Sequence, residues 1–247
     1  VAELVGELAA SAQGGDEAGG IDHPLLRKPE TPTNRELVLI LTSNRGLCGA
    51  YNANVLRTAD HYIKDNADKT IDVQVVGKKG IAFARFNQYT LDATHTHIDD
   101  KPAYEDVEAL ASEYMDRFTA GTYDAVKVIY MQFISNARQQ PRVLDLLPLQ
   151  PPKAEASADG PMAWYEFSPD PAEILGELLP LTVKSQLFQA FNEAVVSEQV
   201  MRMVAMKAAT DNADQMGKRL KRSFNRARQA QITTELTEIV SGAAALE

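Results

Sequence analysis

From Leu181 to Leu246 the chain contains no proline, and glycine interrupts it only at Gly217 and Gly242. Ala, Met, Gln, Lys, Arg and Glu dominate this run, and all of them favour helix. At a rise of 1.5 Å per residue one continuous helix here is about 97 Å long. That exceeds the diameter of a globular domain built from the rest of the chain, so much of the helix is expected to project. Apolar residues recur at steps of three and four: Phe188, Phe191 and Val195, then Met203 and Met206, Met216, Leu220 and Phe224, and finally Leu236, Ile239 or Val240, and Ala243. Such a stripe is a seam for a partner helix. No second helix of comparable length is legible, so the partner is expected from elsewhere.

The preceding residues read differently. Glu36–Thr42 is a near-continuous apolar run, the pattern of a strand buried on both faces. A glycine-containing loop, Ser43–Gly49, leads to a helical pattern over Tyr51–Asp65. Strands are expected at Ile71–Gly77, Tyr89–Ile98, Asp124–Ile134 and, more weakly, Arg142–Leu149. Helices are expected at Lys78–Phe86 and at Tyr104–Phe118, the latter with Val107, Leu110, Ala111, Tyr114 and Phe118 on one face. Alternating strands and helices imply an α/β layer with a mostly parallel sheet. A polar link rich in proline follows from Pro151 to Pro161, then a short strand at Trp164–Phe167. Asp170 is the expected N-cap of the long helix, with Pro171 at its first position. Near the N-terminus, Val1, Leu4, Val5 and Leu8 read as the last turns of another helix, stopped by the Gly14–Gly20 stretch.

Composition narrows the function classes. A single cysteine among 247 residues excludes an internal disulfide and a multi-cysteine zinc site. No apolar run approaches the roughly 20 residues that span a bilayer. The net charge of −9 argues against general nucleic-acid binding. That charge is unevenly spread: residues 181–247 hold nine Lys or Arg against seven Asp or Glu, and the remainder carries −11. Lys218–Arg228 contains six basic residues and no acid, a solvated helix face, a surface for an acidic protein, or a nucleic-acid contact.

The Ser43–Asn52 loop lies between strand and helix, where open α/β sheets bind ligands. Its glycines and the following helix N-terminus are one route to a phosphate cradle. The pattern is neither GxGxxG nor GxxxxGK[ST], so a turn shaped by backbone geometry is the competing reading, as a small nucleotide-binding α/β enzyme is the competing function. Cys48 lacks an evident base and reads as a small buried thiol. His95 and His97 share a strand face, read as solvated, with no third ligand for zinc. His23 and His61 read as surface residues.

Ser43-Asn44-Arg45-Gly46-Leu47-Cys48-Gly49-Ala50-Tyr51-Asn52 resembles the glycine-loop motif of F-type ATP synthase gamma subunits. Ser197–Gln199 with Arg202–Ala213, and Asn225–Ala243, resemble the same family closely. With the Val76–Gly80 turn and the Leu144–Pro148 segment, the similarity covers nearly the whole chain.

The resemblance implies a non-catalytic central-stalk rotor that binds no cofactor or metal and couples proton-driven ring rotation to the catalytic sites. Its partners would be the alpha and beta subunits of the catalytic hexamer, the epsilon subunit and the c-ring, with no nucleic acid and no membrane span. The implied fold is a Rossmann-like sheet domain plus a long C-terminal helix that forms half of an antiparallel coiled coil. Accordingly, residues 1–13 are expected to be the tail of an N-terminal coiled-coil helix that this sequence otherwise lacks, 14–34 a linker, 35–168 the α/β domain and 169–247 the shaft. By the same resemblance Arg228, Gln229, Thr233, Glu235 and Glu238 would face the surrounding subunits, with the basic run before them facing acidic beta-subunit loops. Arg45, Gly46, Gly49 and Asn52 would mark the family loop. The absence of a cysteine-bearing regulatory insertion implies a bacterial-type or mitochondrial-type subunit, with the bacterial type preferred, peripheral on the cytoplasmic side of the bacterial inner membrane, or on the matrix or stroma side if organellar.

Overall fold

The structure is a computed structural model that describes residues 23–26, 32–98, 100–149 and 171–245. The expected tail helix at 1–13, the glycine stretch, the link at 151–161, the strand at Trp164–Phe167 and the Asp170 cap lie outside the described residues.

The chain order is β1 (Arg35–Leu41), α1 (Tyr51–Asp65), β2 (Thr70–Val76), α2 (Lys78–Phe86), β3 (Leu91–His95), α3 (Tyr104–Thr119), β4 (Ala125–Ser135), β5 (Arg138–Leu147) and α4 (Pro171–Ala244). The five strands form one sheet in the order β3-β2-β1-β4-β5. β1 pairs in parallel with both β2 and β4, β2 pairs in parallel with β3, and only β4 and β5 are antiparallel. The sheet is therefore mostly parallel, and the direction of strand addition reverses between β1 and β4.

The continuous apolar run of β1 has the predicted cause. Leu37, Leu39 and Leu41 enter one core with α3 and the first half of α4, while Val38 and Ile40 enter a second core with α1. Strands covered on both faces need no polar alternation. All five residues expected on the buried face of α3 are buried, joined by Met115. Each fully buried Leu, Val or Phe contributes about 1.5–3 kcal/mol.

β5 begins at Arg138, four residues earlier than its sequence pattern showed. Gln139, Gln140 and Pro141 hide a strand from pattern reading, yet β5 is an edge strand, where proline is tolerated. β3 is shorter than expected, ending at His95.

α4 spans 74 residues, about 110 Å of helix. It runs through Pro180, whose missing N–H leaves the preceding turn one hydrogen bond short. Two compact units divide the chain, residues Val1–Met201 and Arg202–Glu247, and α4 runs through both. In the first unit Leu179, Val183, Leu187, Ala190, Phe191 and Ala194 are buried against the sheet. This corrects the expected seam at its start: Phe191 belongs to the domain's own core, and Phe188 packs edge-on against Tyr104 at 5.4 Å. The three- and four-residue spacing is the same for a sheet-facing stripe and a helix-facing one, so pattern alone did not separate them. In the second unit Met203, Met216, Leu220, Phe224, Leu236, Ile239 and Val240 are all exposed.

Candidate functional site

The Ser43–Asn52 loop sits at the C-terminal end of β1, beside the point where strand order reverses. Its geometry is set by bonds within the chain. The Ser43 N–H donates to Asn52 Oδ1 at 3.1 Å, Asn52 Nδ2 donates to Ser43 Oγ at 2.8 Å, and Ser43 Oγ donates to the Arg45 carbonyl at 2.5 Å. Asn52 Nδ2 also lies 3.2 Å from Cys48 Sγ, and Cys48 is buried and free of any disulfide. Leu47 and Gly49 both take positive φ, 64° and 58°. Gly49 adopts this region without strain, whereas Leu47 is held there with its side chain exposed. Gly46 leaves room for Lys79, whose Nζ stands 3.8 Å from where a Cβ would lie. Arg45 reaches Asp100 as an ion pair.

The first amides of the next helix, α2, are bonded within the fold and tie it to the loop. At the start of α2, Lys78 N–H donates to Asn44 Oδ1 at 3.0 Å, Lys79 N–H to the Ser43 carbonyl at 3.1 Å, and Gly80 N–H to Thr42 Oγ1 at 2.9 Å. Thr42 Oγ1 in turn donates to the Val76 carbonyl at 2.7 Å. These are three of the N-terminal donors that make a helix start an anion site. Gly77, at φ 94°, is pressed so closely on β1 that a Cβ would stand 2.3 Å from the Thr42 carbonyl oxygen. The loop and the α2 turn are thus one interlocked unit.

The histidines part company. His95 is half-buried, with Nε2 3.1 Å from Gln74 Oε1, which also accepts the Tyr114 hydroxyl at 2.7 Å. Burial and then the neighbouring His97 lower the His95 pKa. The expectation of a solvated strand face fails at His95, because the wholly buried Gln74 amide needs partners and His95 is one. His97 lies beyond β3 and is exposed, as is His61. His23 is half-buried, with Nδ1 accepting the Leu25 N–H at 3.2 Å, and burial lowers its pKa. No group of side chains among the described residues has the make-up of a metal site. No helix among them is long and apolar enough to cross a membrane.

Arg228, Gln229, Thr233, Glu235 and Glu238 all lie on the second half of α4 and are exposed. At 100° per residue Arg228 and Glu235 share one flank of the apolar stripe containing Ile232, Leu236 and Ile239, and Thr233 lies on the opposite flank. Thr233 Oγ1 donates back to the Gln229 carbonyl at 2.9 Å. Arg45, Gly46, Gly49 and Asn52 are gathered in the loop of the other unit. Two features escaped sequence reading: the burial of Ser197 and Glu198 on α4, and the lock between Gly77 and Thr42.

A sequence model for the family described as ATP synthase matches residues 1–246. The ATP synthase gamma chain of Rhodopirellula baltica is 40% identical over 254 residues, covering 100% of this chain and 83% of that one. The gamma chain of Exiguobacterium sibiricum is 43% identical over 229 residues, covering 92% and 78% respectively. Among solved structures, a chain of the Euglena gracilis mitochondrial ATP synthase assembly of OSCP, F1 and c-ring aligns with a TM-score of 0.62 at 19% identity, covering 99% of this chain and 87% of that one. A chain of the rotor from the same organism gives 0.57 at 19% identity, covering 93% and 91%. This chain belongs to the ATP synthase gamma chain family.

Proposed function

We propose that the chain is the central-stalk rotor of an F-type ATP synthase, without a catalytic centre of its own. It would couple rotation of the c-ring to ATP synthesis and hydrolysis in the alpha/beta hexamer, with epsilon beside it. The observation that carries this reading is membership of the gamma chain family across residues 1–246. The 74-residue helix supports it, since a shaft needs axial continuity and an uneven surface more than a reactive group. As a family member of bacterial type the chain would work on the cytoplasmic face of the membrane. Residues 35–168 would form the globular foot and 169–247 the shaft, with residues 1–13 contributing to a companion helix.

Within this reading Arg228, Gln229, Thr233, Glu235 and Glu238 meet the loops of the surrounding subunits. Replacing Arg228 and Gln229 together by alanine in the assembled complex should lower ATP synthesis while the melting midpoint of the chain alone stays put. Unchanged synthesis would remove the assignment of those two residues. Calorimetry of the chain with ATP or ADP and magnesium should give no specific heat; stoichiometric binding would sink the shaft-only reading.

A further inference from the structure

The buried face of α4 is apolar for several turns and then becomes polar. Leu179 through Ala194 fill the core, but the last fully buried positions are Ser197, 0% exposed, and Glu198, 6% exposed. Ser197 Oγ donates to the Met131 carbonyl of β4 at 3.1 Å. Glu198 lines a cavity of about 30 Å³ at the C-terminal end of β1, opposite Ser43, Asn44 and Tyr51 of the glycine loop and its helix. Tyr51 is itself buried, and its hydroxyl lies 3.5 Å from the Leu41 carbonyl. Burial first, and then the Glu198 charge, push the Tyr51 hydroxyl pKa up.

A buried carboxylate is costly, and an apolar side chain would close the same gap between helix and sheet more cheaply. What polar contacts add is direction. Apolar ridges admit neighbouring registers, whereas hydrogen bonds weaken steeply when turned from their geometry. This polar pair stands at the end of the buried face, just before the exposed stretch that begins near Met203.

We propose that Ser197, bonded to β4, and Glu198, buried in the cavity it shares with the Ser43–Tyr51 loop, form a rotational clamp, and that Glu198 is a positioning residue that carries torque between the α/β domain and the shaft. This gives the glycine loop a mechanical role: it is the jaw that holds α4. The proposal rests on the rotor reading above.

The test uses the assembled synthase in membrane vesicles, scoring ATP hydrolysis and ATP-driven proton uptake side by side. Glu198→Ala should lower the protons pumped per ATP to less than half the parent's value. Glu198→Gln, which keeps the shape and can still hydrogen-bond, should stay within about twofold of the parent. An unchanged ratio in Glu198→Ala, or equal losses in both variants, overturns the clamp. Should Glu198→Ala fail to enter the complex, amide exchange of the full-length Ser197→Ala and Tyr51→Phe chains decides. Faster exchange confined to Cys48–Leu56 and Phe191–Met201 supports the clamp, and unchanged exchange there overturns it. Parent complexes that hydrolyse ATP without pumping would remove the rotor reading instead, while the exchange result would still judge the contact.

Discussion

α4 is one helix with two regimes. Up to Glu198 its stripe of Leu179, Val183, Leu187, Phe191 and Ala194 is buried by the chain's own sheet and helices. From Met203 onward, residues of similar type at similar spacing stand exposed. The first half draws its stability from tertiary packing. Among the described residues the second half shows backbone hydrogen bonds, intrinsic propensity and local pairs such as Gln231 with Glu235, terms that leave a lone helix marginal. An apolar stripe thus records that something will cover it, and says nothing of whether the cover is internal.

The comparison can be broken most sharply at Gly77. Gly77→Ala should cost roughly 3–5 kcal/mol, combining strain at positive φ with collision against the Thr42 carbonyl. Urea unfolding would read this as loss of the α/β domain, with the helical signal of residues 202–244 little changed. A matched pair comes next. Leu187→Ala should cost about 2–5 kcal/mol as a core cavity, while Leu220→Ala in the same chain should cost under about 0.5 kcal/mol. Equal costs would mean that the exposed half is covered after all in the isolated chain.

The smallest effect concerns Asp124, at the start of β4. Its carboxylate accepts the Thr33 N–H, the Thr33 hydroxyl and the Asn34 N–H at 3.0, 2.9 and 2.7 Å. Partial burial alone would raise its pKa; the hydrogen bonds from Thr33, Asn34 and Arg35 outweigh that and lower it. The fold therefore favours the ionised form. Its stabilisation is complete above the ordinary carboxylate pKa and is lost as pH falls through the lowered folded value. Asp124→Asn should flatten that part of the acid limb of the urea midpoint, and only in the α/β domain. An acid limb identical to the parent's would show that these bonds do not set it.

Much of this architecture was legible because periodicity and punctuation agree. β1, β2, β4 and the helices α1 to α3 all fall within a residue or two of their predicted bounds. Legibility failed where tertiary context decides. Phe191 and Leu220 carry the same periodic signal and have opposite fates. His95 reads as surface until the Gln74 amide requires a partner. Ser197 and Glu198 look like ordinary polar helix residues, and the only hint was their place three and four residues beyond Ala194 on the buried stripe. The glycine loop was placed correctly between strand and helix, but the donors of α2 that close it come from the next βα connection, some 35 residues on, beyond the reach of any local motif.

That closure has a consequence for regulation. In most doubly wound folds the crevice at the end of the central strands is where the concentration of a small molecule becomes a conformational signal. Here the crevice is keyed shut by Thr42, Ser43 and Asn44 against the start of α2. Any nucleotide seeking those amides must first break three bonds that the fold already makes.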